Sequence, residues 1–382
     1  MQKNLLILLT FYIVGIATIF SVVCASTKQD QLRLLEFSES NQRWLPRSKI
    51  DQLRQHQVNF FDITDSNFPT PIPPSDDDDM DDYNFPNQPA QKPYVRSLFS
   101  QVDMNRVKES IEHLSSYRTR YYTTETGVET AEWFYDQYQT LLKNNPGYMG
   151  NIEIELFNNT FPQSSVIVRM THEDTKPNDD QLVVILGSHI DSTNFGATFD
   201  APGADDDASG ASTVAEVFRV LYFANFMPLP NVRLEFHHYA AEEVGLLGSA
   251  AIAESYKQKG VNVVAMTEFD MVGYVGEDNV VGIVEDNTGE NINDFIRQLV
   301  GAYLDIEWSN TKCGYACSDH ASWYRVGYKQ SAFPFEAPFG EHNPYIHTVN
   351  DTLDKLSLNH MKEWVKLGLG YCIELGLHNT SK

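Results

Sequence analysis

Apolar residues recur with two different spacings, and these alternate along the chain from residue 93 onward. Strand-like segments, among them an uninterrupted apolar run typical of a strand buried on both faces, lie at 182–186, 232–236, 263–266 and 330–335. Apolar residues at helical spacing lie at 107–117, 131–142, 211–223, 246–257, 292–303 and 361–375. This alternation predicts an α/β fold with a mostly parallel central β-sheet and helices on both faces.

The first part of the chain has a different pattern. Lys3 precedes an apolar run over 5–23, and small residues follow around Cys24. This is typical of a secretory signal peptide over residues 1–25. A signal anchor is the alternative, because the run approaches the length that spans a membrane. We expect cleavage, and no later apolar run is long enough to hold the cleaved chain in a membrane.

Between this segment and the alternating region lies a polar stretch with a distinctive end. We expect one short helix over residues 43–61. Prolines at 69–74 and aspartates at 76–82 then form a linker that cannot bury itself. We therefore interpret 26–87 as a propeptide with a Pro/Asp-rich linker and 88–382 as the main folded domain. A disordered tail is the alternative for 26–87.

Charge and cysteine content narrow the class of protein. The formal net charge is -24, which argues against a nucleic-acid partner because phosphate binding needs a basic face. The signal predicts secretion, with a lysosome-like compartment as the alternative, and we expect a monomer.

In an oxidising compartment Cys313 and Cys317 suit a small disulfide loop. A cysteine metal site is the alternative, but no second pair completes it. Cys372 is expected to be a buried free thiol. Sequons predict N-glycans at three positions: Asn158, Asn350 and Asn379.

Side chains that bind divalent metals occur in five short segments: 188–191, 203–210, 241–245, 268–271 and 345–348. His189, Glu242, Glu243 and Asp270 each follow a predicted strand. Ligands in parallel sheets bind beyond the carboxyl ends of the strands, so these residues are expected to share one site. Two histidines with surplus carboxylates are what a pair of zinc ions sharing a bridging carboxylate needs.

Each segment also has a simpler interpretation. The acidic triplet 205–207 could complement the dipole of the helix that follows it. Glu242 and Glu243 could form a solvent-facing helical turn, although their apolar surroundings argue against this. In the functional interpretation, one of these glutamates binds metal and the other is a general base. Asp191 would accept the second ring N–H of a metal-bound His189.

Six stretches together resemble a known family: 187–193, 201–210, 239–249, 269–271, 313–323 and 347–353. Residues 93–378 are similar to the secreted di-zinc aminopeptidases of the M28 metallopeptidase family, which include bacterial and fungal leucine aminopeptidases. Residues 44–64 resemble the propeptide of fungal members, which would make the chain a zymogen. The resemblance implies the phosphorylase/hydrolase-like α/β fold of zinc aminopeptidases.

The resemblance also implies a role for each matching residue. His189 and Asp270 would bind one zinc, Glu243 and His347 the other, and Asp206 would bridge both. Beside these ligands, Glu242 would be the general base, Asp191 would orient His189, and Tyr315 would hydrogen-bond the tetrahedral intermediate. The peptide bond between residues 206 and 207 is expected to be cis.

The implied reaction is hydrolysis of an N-terminal, leucine-like residue from peptides with a free N-terminus, with the attached propeptide as inhibitor or folding aid. Three alternatives remain open. A carboxypeptidase would need a basic group for the substrate carboxylate, and no motif indicates one. A one-zinc glutaminyl cyclase would not use His189 as a ligand. A non-catalytic secreted binding protein would lack ligands or the base.

Overall fold

The computed structural model describes residues 32–38, 41–46, 49, 52–53, 58, 60–64, 83–176, 180–194 and 196–379. The predicted signal peptide and the Pro/Asp-rich run 69–82 lie outside the described residues. The chain divides into two units, Met1–Asp65 and Ser66–Lys382. No helix within the described residues is long and apolar enough to cross a membrane.

The first unit contains a small antiparallel sheet in the order β2-β1-β3. Its strands are β1 (Leu32–Ser38), β2 (Asn41–Pro46) and β3 (Phe61–Asp62). The expected helix over 43–61 is wrong at both ends. Arg43 and Trp44 lie in β2 and pair with Leu35 and Leu34 of β1, and Phe61 lies in β3. Pairing with a neighbouring strand overrides the local helical spacing.

The second unit alternates helices and strands, as its sequence pattern predicts. Its described helices are α1 (Lys92–Leu98), α2 (Met104–Leu114), α3 (Glu125–Asn144), α4 (Ala208–Phe223), α5 (Leu247–Gln258), α6 (Glu290–Tyr303), α7 (His320–Arg325) and α8 (Leu358–Gly376). Its described strands are β4 (Asn151–Phe157), β5 (Ser165–Thr171), β6 (Leu182–His189), β7 (Val232–Tyr239), β8 (Val263–Glu268), β9 (Val280–Val284), β10 (Glu307–Thr311), β11 (Ser331–Ala332) and β12 (Pro334–Phe335).

Six of these strands form the central sheet in the order β11-β8-β6-β7-β5-β4. Strands β11, β8, β6 and β7 are parallel neighbours, whereas β5 and β4 complete one edge in antiparallel pairing. The predicted mostly parallel sheet is therefore confirmed. A second sheet has the order β10-β9-β12.

Alternate residues of β6 pack against helices on opposite faces of the sheet. Val184 and Leu186 belong to a core shared with α4 and α8, whereas Val183 and Ile185 belong to a second core with α5 and α7. This division follows from the two-residue period of a strand. It confirms the predicted helices on both faces.

The parallel strands also bring the chemically interesting residues to one edge. His189, the last residue of β6, is paired with Tyr239, the last residue of β7. Gly187 of β6 is paired with Glu268, the last residue of β8. The loops that follow β7 and β8 carry Glu242 and Asp270, so the site lies where the carboxyl ends of these strands meet.

Gly187 offers a test of this packing. A methyl group added there would overlap the Glu268 carboxylate and lie 2.7 Å from the Tyr239 ring. We expect Gly187→Ala to lower the free energy of unfolding by about 1–3 kcal/mol, as overpacking does. Gly301→Ala is the matched control, because that position in α6 faces open space and alanine favours a helix by about 0.5–1 kcal/mol. Equal effects of the two changes in denaturant titrations would contradict the packing described.

Candidate functional site

Two histidines from distant segments meet on one carboxylate. Asp206 Oδ1 lies 3.0 Å from His189 Nε2, and Asp206 Oδ2 lies 3.0 Å from His347 Nε2. His189 and Asp206 are buried, whereas the side chain of His347 is 43% exposed. One carboxylate is therefore shared between an enclosed imidazole and a more accessible one.

Each histidine has a second carboxylate of its own. Asp270 Oδ1 is 3.4 Å from His189 Nε2, and Glu243 Oε2 is 2.9 Å from His347 Nε2. The sequence-predicted ligands thus lie together as two groups joined by Asp206. Nitrogen and oxygen donors converging in this way are the donor set that zinc binds in proteins.

Asp207 also has a carboxylate oxygen close to His189 and Asp270. Its oxygens, however, accept backbone N–H groups from His189, Gly210 and Met271, at 3.1, 2.8 and 3.1 Å. We therefore interpret Asp207 as a residue that holds the backbone around the site. The peptide bond between Asp206 and Asp207 is cis, as the resemblance implies.

Asp191 connects three predicted site residues. Its Oδ1 accepts the backbone N–H of Glu242 at 2.9 Å, and its Oδ2 accepts that of Glu243 at 3.2 Å. The same carboxylate lies 3.5 Å from His189 Nδ1. Asp191 therefore holds the turn that carries both glutamates while facing the ring of His189.

Left-handed backbone conformations occur at residues next to the site. Ala241, Met271 and His347 have φ angles of 55°, 58° and 55°. This region disfavours residues with a Cβ and persists where the surroundings impose it. Ala241 precedes Glu242, Met271 follows Asp270, and His347 is itself a predicted ligand. Three of the six described non-glycine residues with a positive φ therefore lie at or beside the site.

The histidines and carboxylates shift each other's titration. Burial alone would lower the pKa of His189, but Asp270, Asp191 and Asp206 raise it well above its usual range. His347 follows the same pattern, with Glu243 and Asp206 raising its pKa. Burial opposes ionisation of Asp206, yet the two imidazoles hold its pKa well below its usual range. Without metal, the site therefore favours protonated histidines around an ionised aspartate.

Glu242 differs from these groups because no described hydrogen bond engages its carboxylate. Burial raises its pKa well above the usual range despite the nearby His189. A carboxylate that binds a proton more readily than an exposed one is suited to accept it from water. This environment fits the predicted general base.

Tyr315 lies within the loop closed by the predicted disulfide. Cys313 and Cys317 are joined at an S–S distance of 2.07 Å, and Cys372 is buried and free, as expected. Burial raises the pKa of Tyr315, and the carboxylates of Glu242 and Asp270 add to this. The phenol therefore keeps its proton and can donate a hydrogen bond toward the site.

An apolar cluster adjoins the site. It consists of buried Met271, Val284, Cys313, Phe333 and Phe335 with partly buried Tyr315, Cys317, Phe339 and Ile346. Met271 follows Asp270 in the chain and Ile346 precedes His347. The ring of His342 contacts the rings of Phe335 and Phe339, with centroids 5.4 and 4.8 Å away.

Sequence reasoning missed two further supporting residues. Ser318 donates its hydroxyl to Asp270 Oδ2 at 2.7 Å. Asp351 accepts the backbone N–H groups of Asp205 and Asp206, at 3.0 and 3.2 Å to its nearer oxygens. Both lie in stretches that carry the family resemblance. No residue type or spacing in those stretches indicated these contacts.

Comparisons with known proteins identify the family and the relatives of this chain. Residues 165–371 match the family described as Peptidase family M28. The chain is 37% identical to leucine aminopeptidase 1 of Fusarium vanettenii, over 93% of this chain and 90% of that protein. It is 39% identical to a probable aminopeptidase of Saccharomyces cerevisiae, over 93% and 96%. The crystal structure of LapB from Legionella pneumophila is similar with a TM-score of 0.74 and 30% identity, covering 94% and 98% of the two chains.

Fold, site and relatives together define a metallo-aminopeptidase of α/β architecture. The chain belongs to peptidase family M28, and its substrates are peptides.

Metal binding by this site should release protons. The raised pKa values of His189 and His347 leave both rings protonated near neutral pH without metal, and metal binding needs neutral imidazole. We expect zinc added to metal-free protein in weakly buffered indicator solution to acidify it. Zinc affinity should accordingly rise with pH. His172→Gln, at a histidine outside the site, should release as many protons as the unchanged protein, and zinc binding without acidification would contradict the prediction.

Proposed function

We propose that the chain is a zinc-dependent aminopeptidase that holds two zinc ions and removes leucine-like residues from peptide N-termini. The observation that carries the proposal is the position of Asp206, whose two oxygens each face one histidine. His189 with Asp270 and His347 with Glu243 would complete the two metal sites. In a one-zinc cyclase His189 would not be a ligand, whereas here its Nε2 faces two carboxylates.

The proposed site residues have separate roles in the hydrolysis. When bound, the zinc pair supplies Lewis acidity toward a carbonyl and lowers the pKa of a water. Glu242 takes the proton of the attacking water and delivers it to the leaving amine. Asp191 holds the backbone of Glu242 and keeps the ring of His189 in position. Tyr315 donates a hydrogen bond to the oxyanion that forms at the scissile carbon.

The apolar cluster supports the preference for leucine-like residues. Met271, Phe333 and Phe335 are buried in this cluster, and its partly buried members Phe339 and Ile346 are the ones that a substrate side chain could contact. Burying an aliphatic side chain against them would contribute about 1.5–3 kcal/mol. Leucine aminopeptidases among the relatives are consistent with this preference. Peptides with a free N-terminus are the proposed substrates.

Location and modification form a further part of the proposal. Removal of residues 1–25 would release a secreted, monomeric protein into the extracellular space or a lysosome-like compartment. Asn158, Asn350 and Asn379 are exposed, so each offers an accessible side chain for an N-glycan. Mass mapping of the secreted protein, before and after enzymatic deglycosylation, identifies the mature N-terminus and each glycosylated asparagine. An asparagine found unmodified would be removed from the proposed glycosylation sites.

The segment before the catalytic unit is proposed to act as a propeptide. Tyr83 and Phe85 pack against the core of the second unit, with the rings of Phe85 and Phe295 5.4 Å apart. We therefore propose cleavage within the Pro/Asp-rich run that precedes Tyr83, rather than at residue 87.

The uncut chain should hydrolyse leucine anilide more slowly than the chain trimmed to start at residue 83. Equal rates would exclude inhibition by the attached segment.

Hydrolysis of leucine anilide tests the proposed function directly. The trimmed protein should cleave leucine anilide and leave N-acetyl-leucine anilide intact, because only the first has a free α-amine. A zinc chelator should abolish the activity and added zinc should restore it. Cleavage of neither substrate, in a protein that binds two zinc ions, would remove the proposed reaction while leaving the metal site.

Glu242→Gln is the matched variant for the catalytic assignment. It removes the proton acceptor and leaves every proposed ligand in place, so zinc stoichiometry should stay unchanged. The rate should fall about 10²–10⁴-fold, the usual contribution of a general base. Activity close to that of the unchanged protein would overturn the role given to Glu242.

A further inference from the structure

Arg120 is fully buried beside the site, and the described hydrogen bonds of its side chain go to backbone carbonyls. Its Nε donates to Ile190 O at 3.0 Å, and its Nη2 donates to Gly203 O at 2.9 Å. Its Nη1 donates to Pro202 O at 2.5 Å and Leu114 O at 3.3 Å. One guanidinium thus joins three separate parts of the chain.

Two of those parts carry proposed metal ligands. Ile190 lies between His189 and Asp191, while Pro202 and Gly203 lead into the acidic triplet that contains Asp206. The planar fork of an arginine fixes several acceptors relative to one another. Arg120 therefore sets the spacing between two of the three segments that would supply ligands to the more enclosed metal position, those of His189 and Asp206.

The close approach depends on Gly203. Its φ angle is 53°, and a Cβ added there would lie 2.8 Å from Arg120 Nη2. The backbone N–H of Arg120 also donates to Ser192 Oγ at 3.0 Å, and that hydroxyl donates to Ala201 O at 2.8 Å. The side chain and the backbone of Arg120 thus both bind to the chain around residues 190–192 and 201–203.

The charge of Arg120 has a second consequence. It is the only buried arginine among the described residues, and the described ion pairs include none between it and a carboxylate. An unpaired buried charge costs several kcal/mol, but the negative charges of Asp351, Asp191 and Asp207 act on it. Arginine keeps its proton in proteins, whereas histidines bind metal in the neutral form. Arg120 therefore supplies positive charge that metal binding does not remove.

We propose that Arg120 is a positioning residue of the metal centre, which holds the His189 and Asp206 segments together and offsets the carboxylates around them. It touches neither substrate nor metal. The inference rests on the proposed function, because it concerns the same zinc site.

Zinc affinity of the folded, trimmed protein tests this role. Competition with a chromophoric zinc chelator should give about 10–100-fold weaker binding for Arg120→Met, the loss typical for partners that orient metal ligands. Arg120→Lys keeps the charge and loses the fork, so its affinity should lie between those of Arg120→Met and the unchanged protein. Arg118→Met is the matched control, because Arg118 is 52% exposed and bonds to carbonyls of Ala197 and Thr198. Its zinc affinity should equal that of the unchanged protein.

Thermal unfolding of the same metal-free proteins separates positioning from support of the fold. An Arg120→Met protein that unfolds at lower temperature yet binds zinc as tightly as the unchanged protein would overturn the inference. If Arg120→Met does not fold, Arg120→Lys is the variant that tests the inference. Unchanged zinc affinity of Arg120→Lys would then contradict the positioning role of Arg120. Zinc binding and leucine anilide hydrolysis by the unchanged protein test the proposed function separately, so either idea can fail alone.

Discussion

Burial of negative charge is the constraint on which this site depends. Acidic side chains that are at most 6% exposed gather near the ends of the parallel strands: Asp191, Asp205, Asp206, Asp207, Glu242, Glu268, Asp270, Asp319, Glu336 and Asp351. A carboxylate removed from water is costly unless hydrogen bonds or opposite charges compensate it. Backbone N–H groups, two imidazoles and one guanidinium compensate part of this charge, and burial raises the pKa of Glu242, Glu268 and Asp319 well above the usual range. The conformation of the surrounding loops follows from this requirement.

Compensation by the backbone couples the fold to the chemistry. Asp191 and Asp351 each accept two N–H groups from residues that the site uses or that adjoin it. The carboxylates thereby fix the peptide planes of Glu242, Glu243 and Asp206. Groups held in this way need little reorganisation when substrate arrives, which is the basis of electrostatic preorganisation.

Much of this arrangement could be predicted, because periodicity and local motifs carry it. The parallel strands, most helices and the five segments with metal-binding side chains follow from spacing along the chain. Strand β2 depends on its pairing with the neighbouring strand β1, and the antiparallel edge depends on the pairing of β5 with the distant strand β7. The spacing of apolar residues within one segment encodes neither pairing. Asp351 and Arg120 act on backbone groups of other loops, so residue type alone gave no signal. The predictions for the signal peptide and the linker concern segments outside the described residues and stay predictions.

The shared carboxylate of Asp206 also has a topological consequence. Metals held as proposed would connect His189 with His347, closing a loop of about 160 residues, which in the chain-entropy model restricts the unfolded state by on the order of 5 kcal/mol. The Cys313–Cys317 bond closes only a five-residue ring and contributes about 2 kcal/mol in the same model. The ions would thus act as a long-range cross-link within the catalytic unit. Metal supply would then govern how long the molecule survives among other proteases as well as how fast it works.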